Sequence, residues 1–192
     1  MSFEDDPRST IGRDPIPGDD PAGTSVRYEP IFDGLEAMIS KMESGGPNAV
    51  PWDKVAETSV EILRDHSKDI TFALYREEGF NGMAIGLGIV RDMVETHWEG
   101  LTPPKKRERA RVSAVEWIAE RLEPLIENIE LAPADAPAVV AAYTALTELD
   151  DLLGTKLESQ TVALGALVRP LRELSQKAEA ATAAAEAVAQ PA

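Results

Sequence analysis

No cysteine occurs in the chain, which excludes disulfide stapling, a thiolate nucleophile and any cysteine-ligated metal. Aromatic residues supply only 5% of the sequence, so a core built from its 43% hydrophobic content has to be mainly aliphatic. No apolar run approaches the roughly 18 consecutive residues that a transmembrane helix needs. Glu4, Asp5 and Asp6 stand where a signal peptide would carry basic residues, so a cytoplasmic location is expected. Positive charge is also scarce: 19 Lys and Arg face 34 Asp and Glu, a formal net charge of −15. Such a field repels nucleic acid and anionic lipid and leaves neutral or basic protein surfaces as partners. Direct membrane insertion and nucleic-acid binding are therefore not expected.

Reactive constellations are missing as well. The two histidines, His66 and His97, lie far apart, and no His-x-x-x-His or Glu-x-x-His pair accompanies them. The adjacent acids Asp19-Asp20, Glu77-Glu78 and Asp150-Asp151 fall in loops or at helix ends, where carboxylates are ordinarily solvated. Ser67 beside His66 has no visible third member, and sequence adjacency does not make a triad. There is no phosphate-binding Gly-x-x-x-x-Gly-Lys loop and no dinucleotide fingerprint. No catalytic, cofactor-binding or metal-ligating residue is assigned, and no cofactor is expected.

What the sequence does contain is helical periodicity separated by Pro and Gly breaks. Residues 1–13 lack any sustained apolar period and are expected to be disordered. The proline-rich stretch from Pro15 to Gly23 holds an extended path, with Ile16 as an apolar anchor. Ile31, Leu35, Met38 and Met42 mark a first helix, ended by Gly45-Gly46-Pro47. Trp52, Val55, Ile62 and Leu63 mark a second, with Pro51 at its start. Ser67 is placed as the N-cap of a third helix carrying Ile70, Ala73 and Leu74 and ended by Glu77-Glu78-Gly79.

The fourth helix, Gly82 to Gly100, is apolar over most of its circumference through Met83, Ile85, Leu87, Ile89, Val90, Val94 and Trp98. It should sit at the centre of the fold. Gly82, Gly86 and Gly88 suggest a close helix approach there. A fifth helix runs from Lys105 to about Asn128 on Val115, Ile118, Leu122, Leu125 and Ile129, interrupted by Pro124. A sixth carries Val139, Tyr143, Leu146, Leu149 and Leu153; a seventh carries Leu164, Leu167, Val168, Leu171 and Leu174. The expected fold is all-α, a single bundle or array of about seven helices without a sheet. It should occupy residues 14–175, with 176–192 as an Ala-rich linker or tail.

One ordered set of short motifs goes further. Trp52-Asp53-Lys54-Val55 is followed by Ser67-Lys68-Asp69-Ile70, then Gly82-Met83-Ala84-Ile85-Gly86-Leu87, then Trp98-Glu99-Gly100-Leu101-Thr102-Pro103. A Glu116-Trp117-Ile118 segment comes after them. In this order the motifs resemble the ImpA-type N-terminal domain of TssA proteins from bacterial type VI secretion systems. The departures are Ile70 where the family pattern has Leu, and Tyr75 to Gly79 where it has an apolar, Ala-containing segment. The residues matching the pattern are Trp52, Val55, Lys68, Asp69, Gly82, Gly86, Leu87, Trp98, Leu101, Pro103 and Trp117.

The resemblance implies a cytoplasmic, non-enzymatic component. Such a protein engages the baseplate and helps start or coordinate assembly of the contractile sheath and inner tube. Full family members continue into C-terminal domains that form rings, whereas this chain stops in an Ala-rich tail, so self-association stays open. Lys105, Lys106, Arg107, Arg109 and Arg111 form the one basic concentration, read either as a dock for an acidic partner or as a solvated helix face. The competing functional reading is a ligand-binding or enzymatic bundle with a pocket near Trp98 and His97. That reading requires convergent polar groups in a deep pocket. An assembly module is expected to show a packed core and an exposed apolar or aliphatic patch.

Overall fold

The computed structural model describes residues 5–46, 49–72, 79–128 and 131–189. Its helices are α1 (Pro30–Ile39), α2 (Lys41–Gly45), α3 (Trp52–Asp65), α4 (Gly79–Thr96), α5 (Glu108–Asn128), α6 (Ala136–Lys156) and α7 (Gly165–Ala189). Six of these have ten or more residues, and α2 is a five-residue continuation of α1. The expected all-helical architecture is therefore present, with six longer helices where about seven were expected: α2 only continues α1, and no α-helix is described at the expected third position. Among the described residues there is no strand; two isolated bridges, Gly23 to Ser67 and Asp69 to Thr102, are the only extended pairings.

The fourth helix has the central place its composition demands. Met83, Ile85, Leu87, Ile89, Val90, Met93 and Val94 are all buried. α4 packs chiefly on α6, α6 on α7, and α7 on α5. On α6 the small residues Ala138, Ala142 and Ala145 alternate with Val139, Leu146, Leu149 and Leu153 to form the facing surface. Gly82 and Gly86 are buried in α4, but a methyl group added at Gly88 would meet nothing within 4 Å. The close approach expected of this glycine cluster does not occur at Gly88.

Three other expectations need correction. First, no α-helix begins at Ser67. Residues 67–69 bridge to other segments and only a 3-10 turn, Ile70–Phe72, follows; the remainder of the expected third helix, 73–78, lies outside the described residues. Ser67 Oγ is buried without a hydrogen bond, so it caps nothing. Second, the segment before residue 14 is not a loose end where it is described. Pro7–Thr10 forms a 3-10 turn, capped by Asp6 accepting from the Arg8 amide, and Ile11 enters the core at 4% exposure. Third, α7 continues to Ala189, and Ala178 is 1% exposed, so the start of the Ala-rich segment contributes to the core.

The N-terminal residues 6–28 form a strap across α3 and α4. Ile11, Ile16, Ala22 and Val26 are its buried anchors. Two glycines permit the contact. An added Cβ at Gly12 would overlap the Ile89 carbonyl, and Gly23 has φ +70 with the His66 carbonyl against the position its Cβ would take.

Candidate functional site

The segment that breaks the helical pattern, Ser67-Lys68-Asp69-Ile70, is where the strap, the end of α3 and the loop before α5 meet. It leaves α3 in an extended path, so its amides and carbonyls seek partners outside the segment. Lys68 N–H donates to Ala22 O at 2.8 Å, Thr24 N–H donates to His66 O at 3.0 Å, and Thr102 N–H donates to Lys68 O at 3.0 Å. The motif thus stitches the strap on one side and the loop before α5 on the other, where the Thr102–Pro103 peptide is cis.

Lys68 is fully buried. Its Nζ donates to Leu63 O at 2.7 Å, a carbonyl in the last turn of α3, and to Ile11 O at 2.6 Å in the strap. A cation at a helix C-terminus meets both the free carbonyls and the negative end of the dipole. Burial pushes the ammonium down to about 8, with Asp14 and Asp65 acting in the opposite sense. Asp69 is also buried, and its Oδ1 accepts from the Thr71 amide at 3.0 Å and the Thr71 hydroxyl at 2.7 Å. Burial raises its carboxyl above the usual range, and those two bonds partly oppose the rise. Although adjacent, Lys68 and Asp69 serve different neighbours.

A second buried cation lies close by. Arg111 is 0% exposed, donating from Nε to Pro103 O at 2.6 Å and from Nη2 to Leu101 O at 2.9 Å. Its guanidinium stands 4.3 Å from the centroid of the Trp98 ring, a cation–π contact in a dry setting. Burial lowers its pKa, yet a guanidinium keeps its proton in proteins. The basic concentration is thereby corrected: Arg111 is not on the surface and cannot meet a partner. Lys105 is engaged by Glu99 at 3.0 Å and Glu158 at 3.7 Å. Lys106, Arg107 and Arg109 are exposed.

The other motif residues divide between core and its margin. Val55, Leu87, Trp98, Leu101 and Pro103 are buried, as are Gly82 and Gly86. Trp52 and Trp117 are half-buried against the core, Trp117 carrying the Arg121 guanidinium 3.7 Å from its ring centroid. Among the described residues Tyr28 is the one exposed large hydrophobic, at 98%, so the aliphatic patch expected of an assembly module is not present.

An open cleft of about 450 Å³ does lie beside His97 and Trp98, lined also by Asp20, Glu95, Glu99 and Lys156. Both named residues are already engaged. His97 Nε2 lies 3.1 Å from Arg13 O, and burial pushes its imidazole below the usual range. Trp98 lies under Arg111, with Lys156 Nζ 5.9 Å from its ring centroid. The described residues hold no group of three or more His, Asp or Glu placed to bind a metal ion, and none of their helices is long and apolar enough to cross a membrane.

Sequence reasoning misassigned one group and missed two others that the structure makes prominent. Arg111 was legible in principle, since it precedes Val115 by four positions and so shares the apolar stripe of α5. Asp92, 3% exposed, likewise sits within the apolar helix α4. Glu108 gave no such signal: it accepts from Glu158 N at 2.7 Å and Ser159 N at 2.9 Å, fastening the turn after α6 to the start of α5.

An all-helical domain, clamped at one end by buried cations that bond its own backbone carbonyls, is the class that this geometry defines. The family described as ImpA, N-terminal, type VI secretion system matches residues 13–120, more than half of the chain, and the chain belongs to that family. Its matched span runs from the strap through the first half of α5 and includes the clamp. Among solved structures, the chain is similar to an N-terminal domain, including the conserved ImpA_N region, of the TssA component of the type VI secretion system from Burkholderia cenocepacia. That similarity has a TM-score of 0.73 at 14% identity and covers 93% of each chain. At that identity the likeness concerns the fold, which extends through α6 and α7 beyond the family match. No curated protein sequence matches significantly.

Proposed function

We propose that this chain is a non-enzymatic, cytoplasmic assembly component of a type VI secretion system. In this reading it engages the baseplate and helps initiate or coordinate sheath and tube assembly through protein–protein contacts. The observation that carries the reading is the internal use of the motif's charges. Lys68 and Asp69 of the motif, together with Arg111 outside it, all bond groups of the domain itself, which supports an architectural role for these charges. Binding is then the work of outer surfaces, among which exposed Lys106, Arg107 and Arg109 suit an acidic partner.

The test is a binding assay of the immobilised whole chain against purified baseplate, sheath and tube subunits of the cognate system. Saturable binding of a baseplate subunit is expected. Failure to retain any of the three would overturn the assignment to assembly.

A further inference from the structure

The strap, α4, α6 and the far half of α7 leave a groove between them. One part encloses about 780 Å³ over a floor that includes Ala84, Gly88, Ala141 and Ala145. Arg13 and Arg91 line it and also line a second cavity of about 530 Å³, so the two parts adjoin. The second part is acidic: Asp92, Glu95, Glu148 and Asp151 face those two arginines.

Asp92 is the anomaly within it. The side chain is 5% exposed, and its Oδ1 accepts from Arg91 Nε at 2.8 Å and pairs with Arg91 Nη2 at 2.6 Å. Its Oδ2 accepts no hydrogen bond. Arg13 Nη1 stands 3.9 Å away, which is attraction without a bond. Arg91 cannot turn to serve it, because Nη1 is held by Glu148 at 2.6 Å. A buried carboxylate oxygen without a donor is rare enough to need a reason.

A metal ion does not supply one, since no three ligating side chains converge among the described residues. A single cationic side chain does. The groove holds more carboxylates than guanidiniums, and the chain's net charge of −15 favours approach of a basic partner. The Ala and Gly floor lets a helix axis come close, as small residues at a packing face do. An arginine fork is able to bond Oδ2 and a neighbouring carboxylate together, which an ammonium point charge does less well.

We propose that this groove docks a helical segment of a partner protein, whose small-residue face covers the Ala84–Ala145 floor and whose arginine, displacing the exposed Arg13 side chain, donates to Asp92 Oδ2 beside Glu95 and Asp151. It deepens the assembly reading by giving a surface, and rests on that reading only for where the partner comes from.

The test titrates the isotopically labelled whole chain with an alanine-based helical peptide carrying one central arginine, followed by NMR. The same peptide with citrulline and free arginine amide are the comparison ligands. Shifts should concentrate on residues lining the groove, and citrulline or Asp92→Asn should each weaken binding about 10- to 100-fold, the worth of one charge-assisted bond. Glu95→Gln and Asp151→Asn, at exposed positions, should weaken it less in the same direction and keep the test decisive if Asp92→Asn does not fold. Glu36→Gln on α1 should change nothing. Absent shifts, shifts spread over the acidic surface, equal binding of the citrulline peptide, or equally tight free arginine amide would each overturn the proposal. Cognate secretion subunits that bind wild type and the three groove variants at Asp92, Glu95 and Asp151 equally would sink the groove and leave the assembly role intact. Groove binding of the peptide with no subunit retained would do the reverse.

Discussion

Replacing Lys68 with methionine removes a buried charge while keeping most of its volume. Two carbonyls, Ile11 O and Leu63 O, lose their donor in a site where the side chain is 0% exposed. Each orphaned acceptor costs about 1–3 kcal/mol, hence about 4 kcal/mol for both at the middle of the range. Against this, methionine relieves the burial of an ammonium whose pKa falls from 10.5 to about 8, worth roughly 3 kcal/mol below both values. The net loss at pH 7 is then only about 1 kcal/mol. The pH dependence carries the distinctive sign. Between the two pKa values the unfolded chain binds more protons than the folded one, so wild type gains stability as pH rises through that window. Lys68→Met has no such gain, and the gap between the two should widen to about 3 kcal/mol by pH 10. Urea denaturation followed by tryptophan fluorescence at both pH values reads this directly. A gap that stays constant or narrows with pH would refute the account of Lys68 as a buried, partly discharged clamp.

Trp98→Ala should cost roughly 3–5 kcal/mol and Leu87→Ala about 2–5 kcal/mol in the same denaturation assay, because both side chains are nearly fully buried. Gly12→Ala should lower stability by about 1–3 kcal/mol, since its methyl overlaps the Ile89 carbonyl; an unchanged melting curve would mean that the strap does not press on α4. Reversing exposed Lys106, Arg107 and Arg109 to Glu should leave thermal unfolding within about 0.5 kcal/mol of wild type. If these residues steer an acidic partner, surface plasmon resonance should show a slower association rate with salt acting in the same direction.

The fold was readable where one periodicity dominated. In α4 every residue of the apolar stripe is buried, and α6 falls close to its predicted place, whereas α7 runs on well beyond its large apolar residues. The reading failed where backbone pairing with a distant segment outweighed local preference. Ser67 to Asp69 carries helix-start residue types, but its amides and carbonyls bond Ala22 and Thr102, contacts that local propensity cannot register. Residues 6–13 have too few apolar side chains to declare themselves, and Ile11 is held by a groove formed elsewhere. At the clamp, the motif residues were legible and the charges were not. Arg111 was grouped with its basic sequence neighbours, although the 3.6-residue period sets it on the buried face.

The strap has a consequence for the order in which the molecule is made. Its fastenings join Ile11 to Lys68 across 57 residues and Arg13 to His97 across 84. Closing intervals of that length carries an entropic cost that local helix formation avoids. The strap, translated before the helices it crosses, therefore has no complete docking surface until the chain has been made past His97. Strap docking belongs after the folding barrier, so Ile11→Val should hasten unfolding and leave the folding rate nearly unchanged in stopped-flow measurements. A slowed folding limb would place the strap in the nucleus instead. During synthesis, residues 6–28 precede the helices that hold them and are secured only after those helices have formed.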